Sequence, residues 1–201
     1  MIRDFIAGFS VTAAANDTER RLAALEAELE RHSDRLDIQE VLVRYSRALD
    51  WLDAEMLDTV FYDDAEIDYG FFKGSGKDFK GVLMDVERGL GRRWHFTSQL
   101  KIDVQGESAE VESYNLSLAL PALEPTDGEE YAMFFGFYKD RLLKRGGKWG
   151  IIARKHLQVS GAELAEVAME GDMALLNQIG DATPAHPDYR RLTRAAPLDN
   201  P

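Results

Sequence analysis

Between Thr18 and His32, strong helix formers carry leucine at positions 22, 25 and 29. That three-and-four recurrence predicts an amphipathic helix. Its apolar stripe is too narrow to stand alone, so it is expected to pack on its own domain or on a second subunit. Ser33 and Asp34 predict a restart, after which Ile38, Leu42, Tyr45, Leu49 and Leu52 form a second stripe that turns Tyr45 inward. A short helix over 54–62, a strand over 65–69, a Gly/Lys-rich loop and a helix over 77–90 follow. From Trp94 the apolar period changes from helical to alternating, and residues 94–105, 108–121, 130–145 and 148–160 read as four long strands. Turn signals separate them at Gly106, at 125–128 and at Gly146-Gly147, the last reading as a hairpin. A helix over about 162–179 and a Pro-containing tail close the chain.

Helices first and strands afterwards predict an α+β fold, with helices covering one face of a curved antiparallel sheet. A strongly bent sheet leaves a cavity beneath the helices. Aromatic residues at Trp51, Tyr69, Phe71, Phe72, Trp94, Phe96, Phe134, Phe135, Phe137 and Tyr138 are placed either to line such a cavity or to fill the core.

Composition bounds the rest. With 201 residues, 45% hydrophobic and 30% charged, the chain suffices for one well-buried core and is short for two. The expected organisation is an N-terminal arm over 1–17, a domain over 18–160, and a C-terminal helix and tail over 161–201. A net charge of −12 would repel a nucleic-acid backbone or an anionic membrane, which leaves a small molecule that is not strongly anionic as the expected ligand. The absence of cysteine excludes disulfides, a thiol nucleophile and thiolate metal sites. Residues 5–15 have a faint secretory pattern, but the apolar run is short and Asp4 opposes it, so a cytoplasmic location is expected. No run approaches the roughly 18 apolar residues of a membrane span.

The ionisable residues divide between structural and chemical readings. Asp53 precedes Ala54-Glu55-Met56 and suits a helix N-cap. Asp50 ends a helix where a carboxylate opposes the macrodipole. It is either solvated or held by a partner. His95 is one of four histidines and lies between Trp94 and Phe96. Strict alternation groups it with Thr97 and Lys101, away from Phe96, Leu100, Ile102 and Val104. Only a bulge, or a pocket on that second face, would give it a chemical role rather than a structural one. Tyr69 reads equally as core or as a phenolic donor. Among Arg154, Lys155 and His156, alternation does not say which reaches a cavity. The scattered histidines lack metal-binding spacing, "GSGK" at 74–77 lacks the rest of a phosphate loop, and there is no GxSxG elbow.

Three stretches carry a resemblance: "RLDIQEVLVRYSRALDWLDAEMLDTVFYDDAEIDYG", "RRWHFTSQLKIDVQGESAEVESY" and "GFYKDRLLKRGGKWGIIARK". Over about residues 18–160 the chain resembles the SnoaL-like branch of the nuclear transport factor two-like superfamily. The resemblance implies a cystatin-like α+β barrel, a cone of curved antiparallel sheet roofed by N-terminal helices. Asp50, Tyr69 and His95 fall where scytalone dehydratases carry an active-site aspartate, tyrosine and histidine, and Tyr45 with Asp50 matches the Tyr-x4-Asp pair of bile acid dehydratases. Two departures bear on substrate: the second histidine and the Ser/Asn pair of scytalone dehydratase are replaced by the Leu120-Pro121 region, Gly136 and Tyr138. The resemblance implies a cofactor-independent, metal-free lyase in which His95, oriented by Asp50, is the general base. Tyr45 and Tyr69 would donate hydrogen bonds to the developing oxyanion or the leaving group. Trp51, Phe72, Trp94, Asn115, Tyr138 and His156 would contact a hydrophobic aromatic substrate. Dehydration is the first expectation, and release of formaldehyde from a diaryl compound uses similar proton traffic. A ketosteroid-isomerase-like isomerase and a non-catalytic binding module, such as a ring-hydroxylating dioxygenase small subunit, are the alternatives. The family implies a homo-oligomer, dimer or trimer.

Overall fold

Helix α1 runs without interruption from Ile2 to Asp50. Ser33 and Asp34, expected to restart the chain, lie inside it, because neither residue blocks a backbone hydrogen bond as proline would. The computed structural model describes residues 2–120, 132–164, 170–177, 179–180, 182–192 and 196–200, with side chains from residue 16 onward. Internal contacts divide the chain into two units, Met1–Asp37 and Ile38–Pro201. In the first unit, residues 16–33 are all exposed.

The second unit begins with the last turns of α1, whose inward stripe of Ile38, Leu42, Tyr45 and Leu49 is buried. Leu52, assigned to that stripe by its spacing, instead takes a left-handed φ of 51° just beyond the helix end. Helix α2 is one turn, Ala54–Leu57, N-capped by Asp53, whose carboxylate accepts from the Met56 amide at 3.0 Å. Strand β1, Phe61–Asp68, therefore starts earlier than the pattern suggested. A short strand β2 (Lys73–Ser75) and helix α3 (Gly76–Arg88) follow.

The long strands are β3 (Arg92–Gln105), β4 (Ser108–Leu120), β5 (Ala132–Arg145) and β6 (Lys148–Glu163). Among the described residues they join β1 and β2 in one curved, unclosed sheet in the order β2-β1-β6-β5-β4-β3. The sheet is not wholly antiparallel: β1 pairs with β6 in parallel, as the long chain between them permits. The β5–β6 turn is a two-residue hairpin with φ of 56° at Gly146 and 78° at Gly147, which only glycine adopts cheaply twice in succession. The expected turn at 125–128 lies outside the described residues. The helix expected over 162–179 is corrected where it is described: β6 continues to Glu163, and Gly171–Leu175 is a short 3-10 turn. Residues 165–169 and 178 of it lie outside the described set.

Two irregularities aim side chains at the sheet's inner face. The β3–β4 register shifts between Ser98 and Lys101, where Gln99 has φ of 51°. One extra residue reverses the alternation: Leu100, Ile102 and Val104 face inward after it, and Arg93, His95 and Thr97 before it. The β5–β6 register shifts at Gly136, where an added Cβ would lie 2.1 Å from the Leu157 carbonyl oxygen. Gly136→Ala is expected to cost about 1–3 kcal/mol by overpacking. A lowered thermal midpoint would show it, against Gly81→Ala, where nothing lies within 4 Å.

Candidate active site

Asp50 obtains the partner that its place at a helix C-terminus demands. Its Oδ1 accepts from both the backbone amide of His95, at 2.8 Å, and His95 Nδ1, at 2.9 Å. The carboxylate thus fixes the ring and keeps the proton on Nδ1. Nε2 then faces Glu87 Oε1 at 3.5 Å. Glu87 is 4% exposed, and its Oε2 has no hydrogen-bond partner among the described residues.

His95, itself largely buried, lies between two carboxylates. Burial lowers its pKa, but the hydrogen bonds and charges of Asp50 and Glu87 outweigh burial and raise it from 6.5 to about 9. Burial also raises Asp50, against the opposing pull of its hydrogen bonds to His95. At neutral pH the ring is therefore an imidazolium. The charged ring stabilises the fold fully below pH 6.5, and that contribution is lost as pH rises through about 9. Glu87→Gln should move the His95 ring titration, read by NMR, down from about 9; an unmoved titration would show that Glu87 does not hold the proton.

A second polar chain runs from the core toward the same cavity. The Tyr45 and Tyr69 hydroxyls lie 3.1 Å apart, and those of Tyr69 and Tyr138 lie 2.7 Å apart. Three hydroxyls sharing two hydrogen bonds leave one proton to donate elsewhere. Burial holds all three phenols above their ordinary pKa, so they remain donors. Beneath them Arg154 stacks on Tyr45 and Tyr138, 4.2 and 4.1 Å from the ring centroids, and pairs with Asp140. His156 stacks on Tyr69 at 4.5 Å. Burial and the Arg154 charge lower its pKa, which keeps it neutral.

The cavity holds about 590 Å³ and is lined by Tyr69, Phe71, Leu83, Val86, Glu87, Leu90, His95, Asn115, Ser117, Leu118, Ala119, Phe134, His156, Gln158, Ser160 and Gly161. That size and largely apolar wall suit a small organic molecule. His95, Tyr69, Asn115 and His156 therefore reach it, and of the three last-strand candidates it is His156 that does so.

Other expected contacts are corrected. Trp94 and Phe96, 60% and 54% exposed, point from the opposite face of β3 because of the bulge. Phe137 packs on Tyr114, and neither it nor Phe135 lines the cavity. Phe72 packs on Phe79, beside the core. Trp51 packs on His186 and Tyr189 of the C-terminal segment, which also binds Asp53 through Tyr189 and Arg191. Tyr45 and Tyr138 are fully buried behind Tyr69 and position it without lining the cavity.

Sequence reasoning missed Glu87. It continues the Phe79–Leu83 spacing of α3 and is thus a lone carboxylate on a buried stripe, the signal that could have found it. Among the described residues, no group of three or more His, Asp or Glu side chains is arranged to hold a metal ion. No helix there is long and apolar enough to cross a membrane.

The fold agrees with that of known proteins. The model of the SnoaL-like domain matches residues 30–155, more than half of the chain. The chain belongs to the SnoaL-like domain family. An uncharacterized protein of Mycobacterium tuberculosis, Rv2910c, is 30% identical over 125 residues, 61% of this SnoaL-like chain and 83% of the relative. Among solved structures, the hexachlorocyclohexane dehydrochlorinase LinA-type3 of Novosphingobium barchaimii is similar at a TM-score of 0.61 and 19% identity, covering 70% of this chain and 96% of its own. A provisionally named scytalone dehydratase of Novosphingobium aromaticivorans is similar at a TM-score of 0.59 and 24% identity, covering 69% and 92%. At these identities the likeness to solved structures is one of fold.

Proposed function

We propose that this SnoaL-like chain is a cofactor-independent lyase that eliminates water from a hydrophobic aromatic or polycyclic small molecule. The observation that carries the reading is the Asp50–His95–Glu87 line at the wall of an apolar cavity. Acid/base groups with perturbed pKa values gathered in a cleft are a recurrent mark of catalysis. The names of two solved relatives, a dehydrochlorinase and a dehydratase, both describe eliminations and support the same class.

The charge state divides the labour. Because His95 is protonated at neutral pH, it acts as the acid and the Glu87 carboxylate as the base. Glu87 removes a proton from a carbon acidified by a neighbouring carbonyl or ring. The electron pair of that carbon–hydrogen bond forms the new double bond as the carbon–oxygen bond breaks. His95 Nε2 protonates the departing hydroxyl, and water leaves. The proton on Glu87 then passes to Nε2 across the short gap between them, restoring the starting state. The spare hydroxyl proton of the tyrosine chain, delivered through Tyr69, stabilises the developing oxyanion against a largely apolar wall. Release of formaldehyde from a diaryl compound is the related carbon–carbon elimination open to the same pair.

The test is to incubate pure protein with hydroxylated aromatic, diaryl and steroid compounds, beside His95→Ala and Asp50→Asn, and to score product masses. Loss of the mass of water or of formaldehyde, absent in His95→Ala and reduced in Asp50→Asn, supports the lyase and its acid/base line. Turnover that survives both substitutions overturns that line. Binding without conversion across the panel would point to a ligand-binding module.

A further inference from the structure

Helix α1 raises a separate question within the unit Met1–Asp37. Every residue over 16–33 is exposed, yet the sequence there is not uniformly polar. Leu22, Leu25, Leu29 and Leu36 are 55%, 62%, 71% and 64% exposed. Their spacings of three, four and seven place them at positions a, d, a and a of a heptad, and the remaining d position is His32. A helix with all its side chains in water has little besides intrinsic propensity to hold it, and isolated helices of this kind are marginal. A leucine seam, broken only at His32, supplies what is missing once something covers it.

The flanking charges identify the cover. In this frame the g positions are Arg21, Glu28 and Arg35, and the e positions are Glu26 and Ser33. A parallel, in-register partner of the same sequence brings each g residue to the e position five residues further along the other helix. Arg21 then meets Glu26 of the other copy, twice by symmetry, and Glu28 meets the neutral Ser33. Leucine stacks on leucine in four layers, and His32 faces His32 in a polar layer of the kind that disfavours shifted registers. The antiparallel alignment that stacks Leu25 on Leu29 instead sets Arg21 against Arg35 and Glu28 against Glu28. Like charges at those positions oppose it.

We propose that Leu22, Leu25, Leu29 and Leu36 form the seam of a parallel, in-register coiled coil with the same helix of another copy of this chain. The occupant is thus a second copy rather than a foreign partner, because the pattern of leucines and charges is self-complementary.

The absence of cysteine makes the test direct. Leu22→Cys and Leu36→Cys, made separately in the full chain, each introduce one thiol per copy. At an a position of a parallel, in-register pair the two thiols come within disulfide reach. Ala27→Cys, on the opposite helix face, is the control. Under mild oxidation at micromolar protein, each leucine-site variant is expected to convert mostly to a covalent dimer on a non-reducing gel, at least several-fold more than the Ala27→Cys control. Two results would overturn the proposal: crosslinking at both leucine sites no greater than at position 27, or crosslinking only when the two leucine-site variants are mixed. A second readout guards against accidental collision. Leu25→Glu with Leu29→Glu, added to the Leu22→Cys variant, should abolish the crosslink and lower helical circular dichroism, and a crosslink that persists unchanged also overturns it.

Discussion

If the proposed lyase reaction is the activity, replacing His95 by glutamine is expected to lower kcat by about a thousandfold while changing KM little, since general acid–base groups contribute roughly 10²–10⁴-fold. Glutamine preserves much of the ring's volume and can still bond to Asp50, so the cavity keeps its shape. It cannot deliver a proton to a leaving hydroxyl. The pH profile separates the roles of the two groups beside the ring. With His95 as acid, kcat falls as pH rises through about 9, where the imidazolium is lost. Activity that instead climbs toward pH 9 would make His95 the base and Glu87 its charge partner. Asp50→Asn should reproduce part of the loss, because it removes the carboxylate that fixes the ring and keeps the proton on Nδ1. Unchanged activity in His95→Gln on a substrate the wild type converts would remove the proposed chemistry altogether.

The largest expected effect on stability lies behind the site. Asp140→Asn should destabilise the fold by about 3–5 kcal/mol, the usual cost of removing one partner of a buried ion pair. Arg154 and Asp140 are both about 1% exposed and joined by two hydrogen bonds, 2.7 Å from Nε and 2.6 Å from Nη2. Asparagine leaves the guanidinium charge in place, offers it one acceptor instead of two, and turns an NH₂ group toward its donors. The Tyr45, Tyr138 and Phe61 rings that pack on the guanidinium carry no charge to balance it. In a chain of this size the loss corresponds to roughly a 10 °C fall in the unfolding midpoint. The double variant Asp140→Leu/Arg154→Met should recover much of it, because no charge is left stranded. A single variant as stable as wild type would mean that water reaches the pair. Since Arg154 stacks on the tyrosines that hold Tyr69, the same substitution should also weaken catalysis in the fraction that remains folded.

The resemblance, not periodicity, pointed to Asp50 and His95 as neighbours. They are 45 positions apart, and no local pattern reports that one carboxylate oxygen serves both the amide and the ring of the histidine. Alternation placed His95 on the wrong face because it assumes an unbroken strand, and the extra residue at Gln99 breaks it. The same break turns Phe96, and Trp94 that the resemblance implied would contact substrate, away from the cavity. Glu87 was legible in principle as a carboxylate on an apolar stripe, but helical spacing does not reveal what faces that stripe. Trp51 was misplaced for the opposite reason: its partners, His186 and Tyr189, come from a distant segment with no recognisable periodicity.

The sequence by itself determined the helical run before residue 50, the helix over 77–90 and the four long strands from residue 94, the inward stripe that buries Tyr45, the hairpin at Gly146-Gly147 and the α+β class. These follow from the local spacing of apolar residues and from backbone preferences, which neighbours in the chain already express. The tertiary structure decided which face of β3 carries the histidine, that a second carboxylate stands at its Nε2, that β1 lies parallel to β6, and which aromatics reach the cavity. Those outcomes depend on strand register and on contacts between distant segments, where a shift of one residue turns a side chain from solvent to site.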